Sequence, residues 1–323
     1  MRLLGLRHGG TNVNERRGAS GERAGTRELP PVEVITGRDN KWLKKFRSAL
    51  QGKGPAEGEP IAVEGPKLIE DAVRSGLEAE ALLVSAEGER ELERILAAAK
   101  ESEAGIPRSR ILRTTDKLFA AIAGTETPQG VAALFRQREW NFEDVLRGPA
   151  TREGAYRSEA PLVVVLAGVQ DPGNVGTIVR SAEAFGATGV VAARGTADPW
   201  SPKALRASAG SALRLPLLRG FAAPIILAQL KMARVNILVT RAVSRAAAGE
   251  MFDAPAELTE AAAIFIGGEG AGLPAEVIHA ADATISIPIS ESVESLNAGV
   301  AASVILFEAA RQRNSLRAAA GRK

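Results

Sequence analysis

Ile264-Phe-Ile-Gly267-Gly268-Glu269-Gly270-Ala-Gly272-Leu273-Pro274 is the stretch whose reading decides the fold. An apolar run of buried-strand type passes directly into a glycine cluster, and Pro274 then stands in the first turn of a following helix. Glycine at 267, 268, 270 and 272 permits positive φ and lets a ligand approach the backbone closely. The spacing is not the dinucleotide fingerprint G-x-G-x-x-G, and the segment follows a late strand instead of the first one of its domain. Taken alone, it also reads as a tight turn with an exposed Glu269.

About 90 residues upstream, the strand Leu162 to Leu166 leads into Asp171-Pro-Gly-Asn174-Val-Gly176-Thr-Ile-Val-Arg180-Ser-Ala-Glu-Ala-Phe-Gly186. Pro172 and Gly173 predict a turn at the carboxyl end of a strand, where open α/β sheets bind ligands. Asn174 is placed where a helix begins, with Arg180 near two turns later. On spacing alone this equally describes a capping Asn and a solvent-facing Arg. Downstream, Ile285-Ser-Ile287-Pro288-Ile289-Ser290 leads to Glu294-Ser295-Leu296-Asn297-Ala-Gly-Val-Ala-Ala-Ser303. Here a strand ends at Pro288, and Ser295 or Asn297 opens a long apolar helix to about Gln312. Ala298, Ala301 and Ala302 give that helix a side suited to close packing. A capping Ser and Asn before a core helix account for the segment without any chemistry.

Further strands are read at Val190 to Ala192, Ile237 to Val239 and Ile285 to Ile287, separated by helical stretches. Together with the two strands above they predict an open, mostly parallel sheet with helices on both faces over residues 161–315. Residues 32–137 form a smaller α/β domain. Its strands are read at Val34-Ile35, Ile61 to Glu64, Ala81 to Ser85, Ile111 to Arg113 and Gly130 to Phe135, with helices between them. Residues 138–160, rich in charge and turn formers, read as a linker. Residues 1–31 read as a tail in which Arg2, Arg7, Arg16, Arg17, Arg23 and Arg27 are scattered without apolar periodicity, and 316–323 as a second tail.

Composition removes several classes of function. There is no cysteine, which excludes disulfides, zinc–thiolate sites and thiol nucleophiles. With His8 and His279 as the two histidines, a His-rich metal site is ruled out and a Ser-His-Asp triad is disfavoured. No apolar run approaches the roughly 20 residues that span a bilayer, so a cytoplasmic location is expected. The net charge of +3, from 41 Lys and Arg against 38 Asp and Glu, does not by itself establish a polyanionic partner. A basic face must be local. A nicotinamide-dependent Rossmann enzyme would need a glycine fingerprint after the first strand and an acidic residue about 20 residues on, and Asp171-Pro-Gly-Asn-Val-Gly does not supply it.

In this order the three segments resemble the signature motifs of the SpoU/TrmH RNA methyltransferases: N-x-G-x-x-x-R, then G-x-E-G-x-G-L, then a Pro followed by S-L-N ahead of a helix. The resemblance covers Leu162 to Arg311. The first domain resembles the family's small substrate-binding domain, similar to a ribosomal-protein fold, through Ile35-Thr-Gly-Arg-Asp-Asn, Val63-Glu-Gly-Pro and Thr127-Pro-Gln-Gly-Val.

The resemblance implies a trefoil knot in the second domain, a homodimer, and S-adenosylmethionine as cofactor, without a metal. By motif position the cofactor would contact Thr240, Gly267, Gly268, Gly270, Ile287 and Leu296. The implied reaction is methyl transfer to a ribose 2′-hydroxyl of RNA. Asn174, Arg180, Glu269, Ser295 and Asn297 are the implied catalytic set: Arg180 gripping a phosphate and stabilising charge on oxygen, Asn174 orienting the ribose, Glu269 pairing with Arg180 or accepting a proton. Arg180 is unsuited to be the base, since a guanidinium stays protonated. RNA contacts are expected from Lys41, Lys44, Lys45 and Arg47, with Lys203 and Arg206 nearer the reaction, although a solvated charge fits each of them as well. The Ala298-Gly299 pair, where many members carry Val-Ser, weakens any hydroxyl role at 299. The separate first domain favours ribosomal RNA of the large subunit over tRNA. A non-catalytic RNA-binding protein is the rival reading.

Overall fold

The computed structural model describes residues 33–102, 106–107, 110–149, 160–241, 258–270, 272–290 and 292–320. The expected tail 1–31, most of the second half of the linker, and the stretch 242–257 lie outside them.

The first lobe is a five-stranded sheet in the order β1-β4-β3-β5-β2: β1 (Glu33–Ile35), β2 (Ile61–Glu64), β3 (Ala79–Ser85), β4 (Ile111–Thr114) and β5 (Val131–Phe135). β1, β4 and β3 run parallel, while β5 is antiparallel to both β3 and β2. Side-chain alternation along β3 explains the two covered faces. Leu82 and Val84 join the core with α2 (Pro66–Arg74) and α3 (Glu89–Glu101). Ala81 and Leu83 pack with α1 (Lys41–Gln51) and α4 (Asp116–Ala120). Asn40 caps α1 by accepting a hydrogen bond from the Trp42 amide at 2.8 Å.

The second lobe is a six-stranded sheet in the order β11-β9-β10-β6-β7-β8, parallel throughout. Its strands are β6 (Leu162–Ala167), β7 (Gly189–Ala193), β8 (Leu217–Phe221), β9 (Asn236–Thr240), β10 (Ala262–Gly267) and β11 (Ala283–Ile285). Its helices are α6 (Pro172–Ala184), α7 (Pro202–Ala207), α8 (Ala223–Met232), α9 (Ala275–His279) and α10 (Ala298–Ala320). Leu162, Val164 and Leu166 of β6 and Ile264 and Ile266 of β10 face the side covered by α6, α7 and α10. Val163, Val165, Ala263 and Phe265 face the other side with α8 and α9. Burial on both faces is why these strands read as unbroken apolar runs. The core on the α6 side continues without a break into the α2–α3 side of the first lobe.

Four features depart from the sequence-based expectations. Residues 138–149 are not a bare connection: α5 (Phe142–Arg147) starts with a capping box in which the Asn141 side chain and Asp144 each accept the other's backbone N–H, and Val145 is buried among Val163 and Val165. β11 ends at Ile285, so Ile287 belongs to the loop beyond it. α6 begins two residues before Asn174, because Pro172 occupies the first turn, where its fixed φ is suitable and its missing N–H is not needed. α10 runs to Ala320, well past Gln312, and Arg313 anchors it. That buried guanidinium donates to the carbonyls of Leu258 at 2.6 Å, Ala160 at 2.7 Å and Pro161 at 3.1 Å, and to that of Glu260. Burial lowers its pKa to about 10.

Gly176 sets the spacing between α6 and α7. A Cβ there would stand 2.3 Å from the Ala204 carbonyl oxygen, inside any real contact. The helices therefore meet backbone to backbone at this point, which fixes where α6 presents Asn174 and Arg180.

Candidate active site

The crevice of this sheet lies beyond the carboxyl ends of β6 and β10, which are neighbours in space and distant in sequence. Asn174 is buried in the first turn of α6 and Glu269 follows β10. The Asn174 amide Nδ2 donates to Glu269 Oε1. Asn297 Nδ2 donates to Asn174 Oδ1 at 3.0 Å and to Glu269 Oε1 at 3.4 Å. Asn297 Oδ1 accepts the backbone amides of Gly299 at 2.9 Å and Val300 at 3.3 Å, capping α10. An amide side chain has two N–H donors and two acceptor lone pairs, so the hydrogen-bonding capacity of Asn297 is filled from within. Asn297 is a linchpin between the three motifs, not a group free to meet a substrate. Asn174 keeps one N–H, and Glu269 keeps its second oxygen.

Arg180 is exposed on α6 and has no hydrogen bond or ion pair among the described residues. The pairing expected between Arg180 and Glu269 is not formed: the carboxylate is taken by the two amides, leaving the guanidinium bare. Ser181, next to it, meets Ser303 of α10 hydroxyl to hydroxyl at 2.7 Å. Ser303 also donates to the Gly299 carbonyl at 2.7 Å, so Ser181 is the donor in that pair. The two serines tie α6 to α10 beside Arg180. Gly299 lies against α6 as well. A Cβ at 299 would stand 3.1 Å from Thr177 Cγ2, so the glycine and the threonine share one space.

Beside the amide–carboxylate cluster is a cavity of about 320 Å³. The six residues expected to contact a cofactor, Thr240, Gly267, Gly268, Gly270, Ile287 and Leu296, all line it, as do Glu269 and Ser295. The rest of its wall is apolar, from Leu273, Ile285, Ile289 and Ile305, apart from Arg241. Thr240 Oγ1 donates to the Phe265 carbonyl at 3.0 Å, holding β9 to β10 at the cavity's edge. Gly268 is required by a close approach: a Cβ there would fall 2.2 Å from the Gly168 carbonyl oxygen. The size is in the range of small-ligand pockets, and apolar walls with backbone donors and acceptors suit a nucleoside with a thioether or sulfonium arm. S-adenosylmethionine fits this donor set. Among the described residues no group of three or more His, Asp or Glu side chains is placed to hold a metal ion.

A second opening of about 900 Å³ lies between the lobes, lined by Gln51, Lys53 and Gly124 from the first and by Gln170, Pro172, Lys203 and Arg206 from the second. Lys203 pairs with Asp171, and that contact, with the backbone amides of Gly173 and Asn174, holds the Asp171 carboxyl below its ordinary pKa. Arg206 is exposed and unpaired among the described residues. On α1, Lys44 pairs with Asp39 at 3.2 Å and Lys45 with Glu80. Lys41 is exposed and Arg47 half-buried. Of the six basic candidates, Lys203 and Arg206 line the interlobe opening beside Pro172 at the start of the catalytic motif.

Comparison with known proteins follows the same division. Residues 161–307 match the SpoU rRNA methylase family, and residues 40–133 match the MRM3-like substrate-binding domain. An uncharacterized tRNA/rRNA methyltransferase of Mycobacterium marinum is 30% identical over 318 residues, covering 96% of this chain and 97% of that protein. The chain belongs to the SpoU rRNA methylase family. The 23S rRNA (guanosine(2553)-2′-O)-methyltransferase RlmP of Bacillus subtilis is 29% identical over 276 residues, 85% of this chain and 98% of that one. The AdoMet-bound rRNA methyltransferase from Sinorhizobium meliloti has a similar structure, with a TM-score of 0.68 and 28% identity over 87% of this chain and 98% of its own. As a SpoU methylase, the chain is an S-adenosylmethionine-dependent RNA 2′-O-methyltransferase.

Three residues at the site were missed in the sequence. Arg241 lines the cavity and Lys53 lines the interlobe opening. Thr177 lies against the motif-three helix. For Arg241 the signal was present, a cation directly after the candidate Thr240 at a strand end. For Lys53, only the folded arrangement brings it to the second lobe.

Proposed function

We propose that the chain methylates a ribose 2′-oxygen of large-subunit ribosomal RNA, with Arg180 at the reacting phosphodiester and the Asn174–Glu269–Asn297 cluster as its fixed floor. The observation that carries this is the Asn174–Glu269–Asn297 cluster at the edge of the cavity; Arg180 is exposed and unpaired nearly two turns along the helix that presents Asn174, outside the residues that line the cavity. Bound in the cavity, the cofactor supplies an electrophilic methyl group on a sulfonium. The protein must place a ribose hydroxyl in line with it and relieve the hydroxyl of its proton. Arg180 grips the adjoining phosphate through its fork of N–H donors and stabilises negative charge developing on the 2′-oxygen. The remaining Asn174 N–H orients the ribose. Glu269 is the one carboxylate among the described residues lining the cavity, and its unoccupied oxygen takes the proton. Ser295 closes the cavity wall.

The proposal includes the family's trefoil-knotted chain path, a cytoplasmic setting with the RNA, and a homodimer. Val300, Val304 and Phe307 of α10 support the dimer, being 49%, 43% and 54% exposed on one side of a helix whose other side is core. RNA is held chiefly through phosphates, by Arg206 and Lys203 near the reaction and by α1 further off. RlmP, named for 23S rRNA and matched over 98% of its length, favours ribosomal RNA over tRNA. The test is transfer of labelled methyl groups into separated ribosomal RNA and tRNA lacking their native modifications. Label in the large-subunit rRNA supports the reading, label confined to tRNA replaces the substrate, and absence of both transfer and cofactor binding removes it.

A further inference from the structure

Two charged side chains lie among the described residues that line the cofactor cavity, each following a different strand. Glu269 follows β10 and is bound to Asn174 and Asn297. Arg241 follows β9, where its backbone N–H donates to the Ile285 carbonyl of β11 at 3.0 Å. That bond fixes where the arginine leaves the sheet. Its side chain has no hydrogen bond or ion pair among the described residues, and it is exposed. In the sheet order β9-β10-β6 it is two strands removed from the strand that leads into α6. At the usual spacing of about 4.8 Å between strands, this sets the bases of the two arginine-bearing segments roughly 10 Å apart across the crevice.

A bare cation in a cavity meant for a sulfonium presents an electrostatic problem. The sulfonium and the amino group of the methionine arm are both positive, and a guanidinium repels them. The same arm carries one anion, its carboxylate, whose planar geometry matches the guanidinium fork. We propose that Arg241 is a positioning residue that binds the α-carboxylate of S-adenosylmethionine and so turns the methyl group toward α6. The repulsion then helps: the ligand is stable in the orientation that puts its carboxylate at β9 and its cationic sulfur away from Arg241. Such an anchor adds a side-chain contact to a site otherwise built from backbone and apolar groups. The inference rests on the cavity being the cofactor site.

The test compares two ligands by calorimetric titration on wild type, Arg241→Ala and Arg241→Lys. S-adenosylhomocysteine carries the amino-acid arm, while methylthioadenosine keeps the thioether nucleoside without it. The expected result is a loss of about tenfold or more in S-adenosylhomocysteine affinity for Arg241→Ala. Methylthioadenosine affinity should change less than about twofold, and Arg241→Lys should recover part of the loss. Unchanged methylthioadenosine binding also shows that the variant is folded at the cavity. Equal losses for the two ligands, or no loss for either, overturn the assignment. So does a drop in RNA affinity with S-adenosylhomocysteine binding intact, which would give Arg241 to the RNA. If wild type binds neither ligand, it is the cofactor site itself that fails.

Discussion

The floor and the rim of the crevice use the same kinds of side chain in opposite ways. On the floor, Asn297 has every donor and acceptor engaged, Asn174 one N–H and one acceptor position, and Glu269 one of its two oxygens. On the rim, Arg180, Arg206 and Arg241 have no side-chain partner among the described residues, although elsewhere Arg214 with Glu183 and Arg311 with Glu308 form two-bond pairs. Exposed arginines without side-chain partners among the described residues also occur elsewhere, at Arg194 and Arg234, so what distinguishes the crevice is three polar side chains from three distant segments held together beside a cavity. The floor gains fixed positions at the expense of reactivity, and under the proposed function the rim keeps its charge for a ligand whose phosphates or carboxylate complete it.

The largest effect should come from the rim. Arg180→Ala should reduce methyl transfer by about 10³-fold, the scale of losing one charge-stabilising donor at a reacting oxygen, with cofactor affinity within about twofold of wild type by titration. A comparable loss of cofactor affinity would move Arg180 from the rim to the binding floor. Next, Glu269→Gln keeps an oxygen that accepts both amides and removes the base. Single-turnover rates should fall about 10²-fold with the melting temperature nearly unchanged. Near-normal rates would leave Glu269 with orientation alone.

Asn297→Ala should act chiefly on folding. It removes the cap of α10 and strands two polar partners, destabilising by about 1–3 kcal/mol in denaturant titration, and the loosened motif-three segment should weaken the cofactor. A variant as stable as wild type would contradict the linchpin role. The smallest effect belongs to Arg206→Ala. RNA affinity should fall a few-fold and the slope of log affinity against log salt should shrink by about one charge, with cofactor binding unaltered. An unchanged slope would place Arg206 off the RNA path.

Where the sequence carried a strong local signal, the structure follows it. The five strands of the first lobe, the doubly covered sheet of the second and the glycine-rich turn after β10 belong to that class. Their signals are buried runs and glycine clusters, which are local. The six residues expected to contact the cofactor came instead from motif position, and the structure shows only that they line one cavity. What was illegible is of two kinds. β8, α7 and α8 are short or weakly patterned: β8 includes Gly220 and follows Pro216, and α7 has six residues. α5 was legible in principle from Asn141 and Asp144 three residues apart, but charge around it masked the pattern. The other kind is relational. Whether Glu269 faces Arg180 or Asn174 depends on the rotation of α6, which Gly176 sets against α7, and no one-dimensional spacing contains it. The same applies to Asn297, whose two readings as a cap and as a site residue proved to be one arrangement.

The most direct test is nucleoside mass spectrometry on large-subunit ribosomal RNA that lacks its native modifications, after incubation with S-adenosylmethionine and either wild type or Arg180→Ala. A nucleoside methylated on its ribose is expected with the wild type. None above background is expected with the variant, although that variant still binds cofactor. A methyl group found on the base, or equal ribose methylation by both proteins, would contradict it.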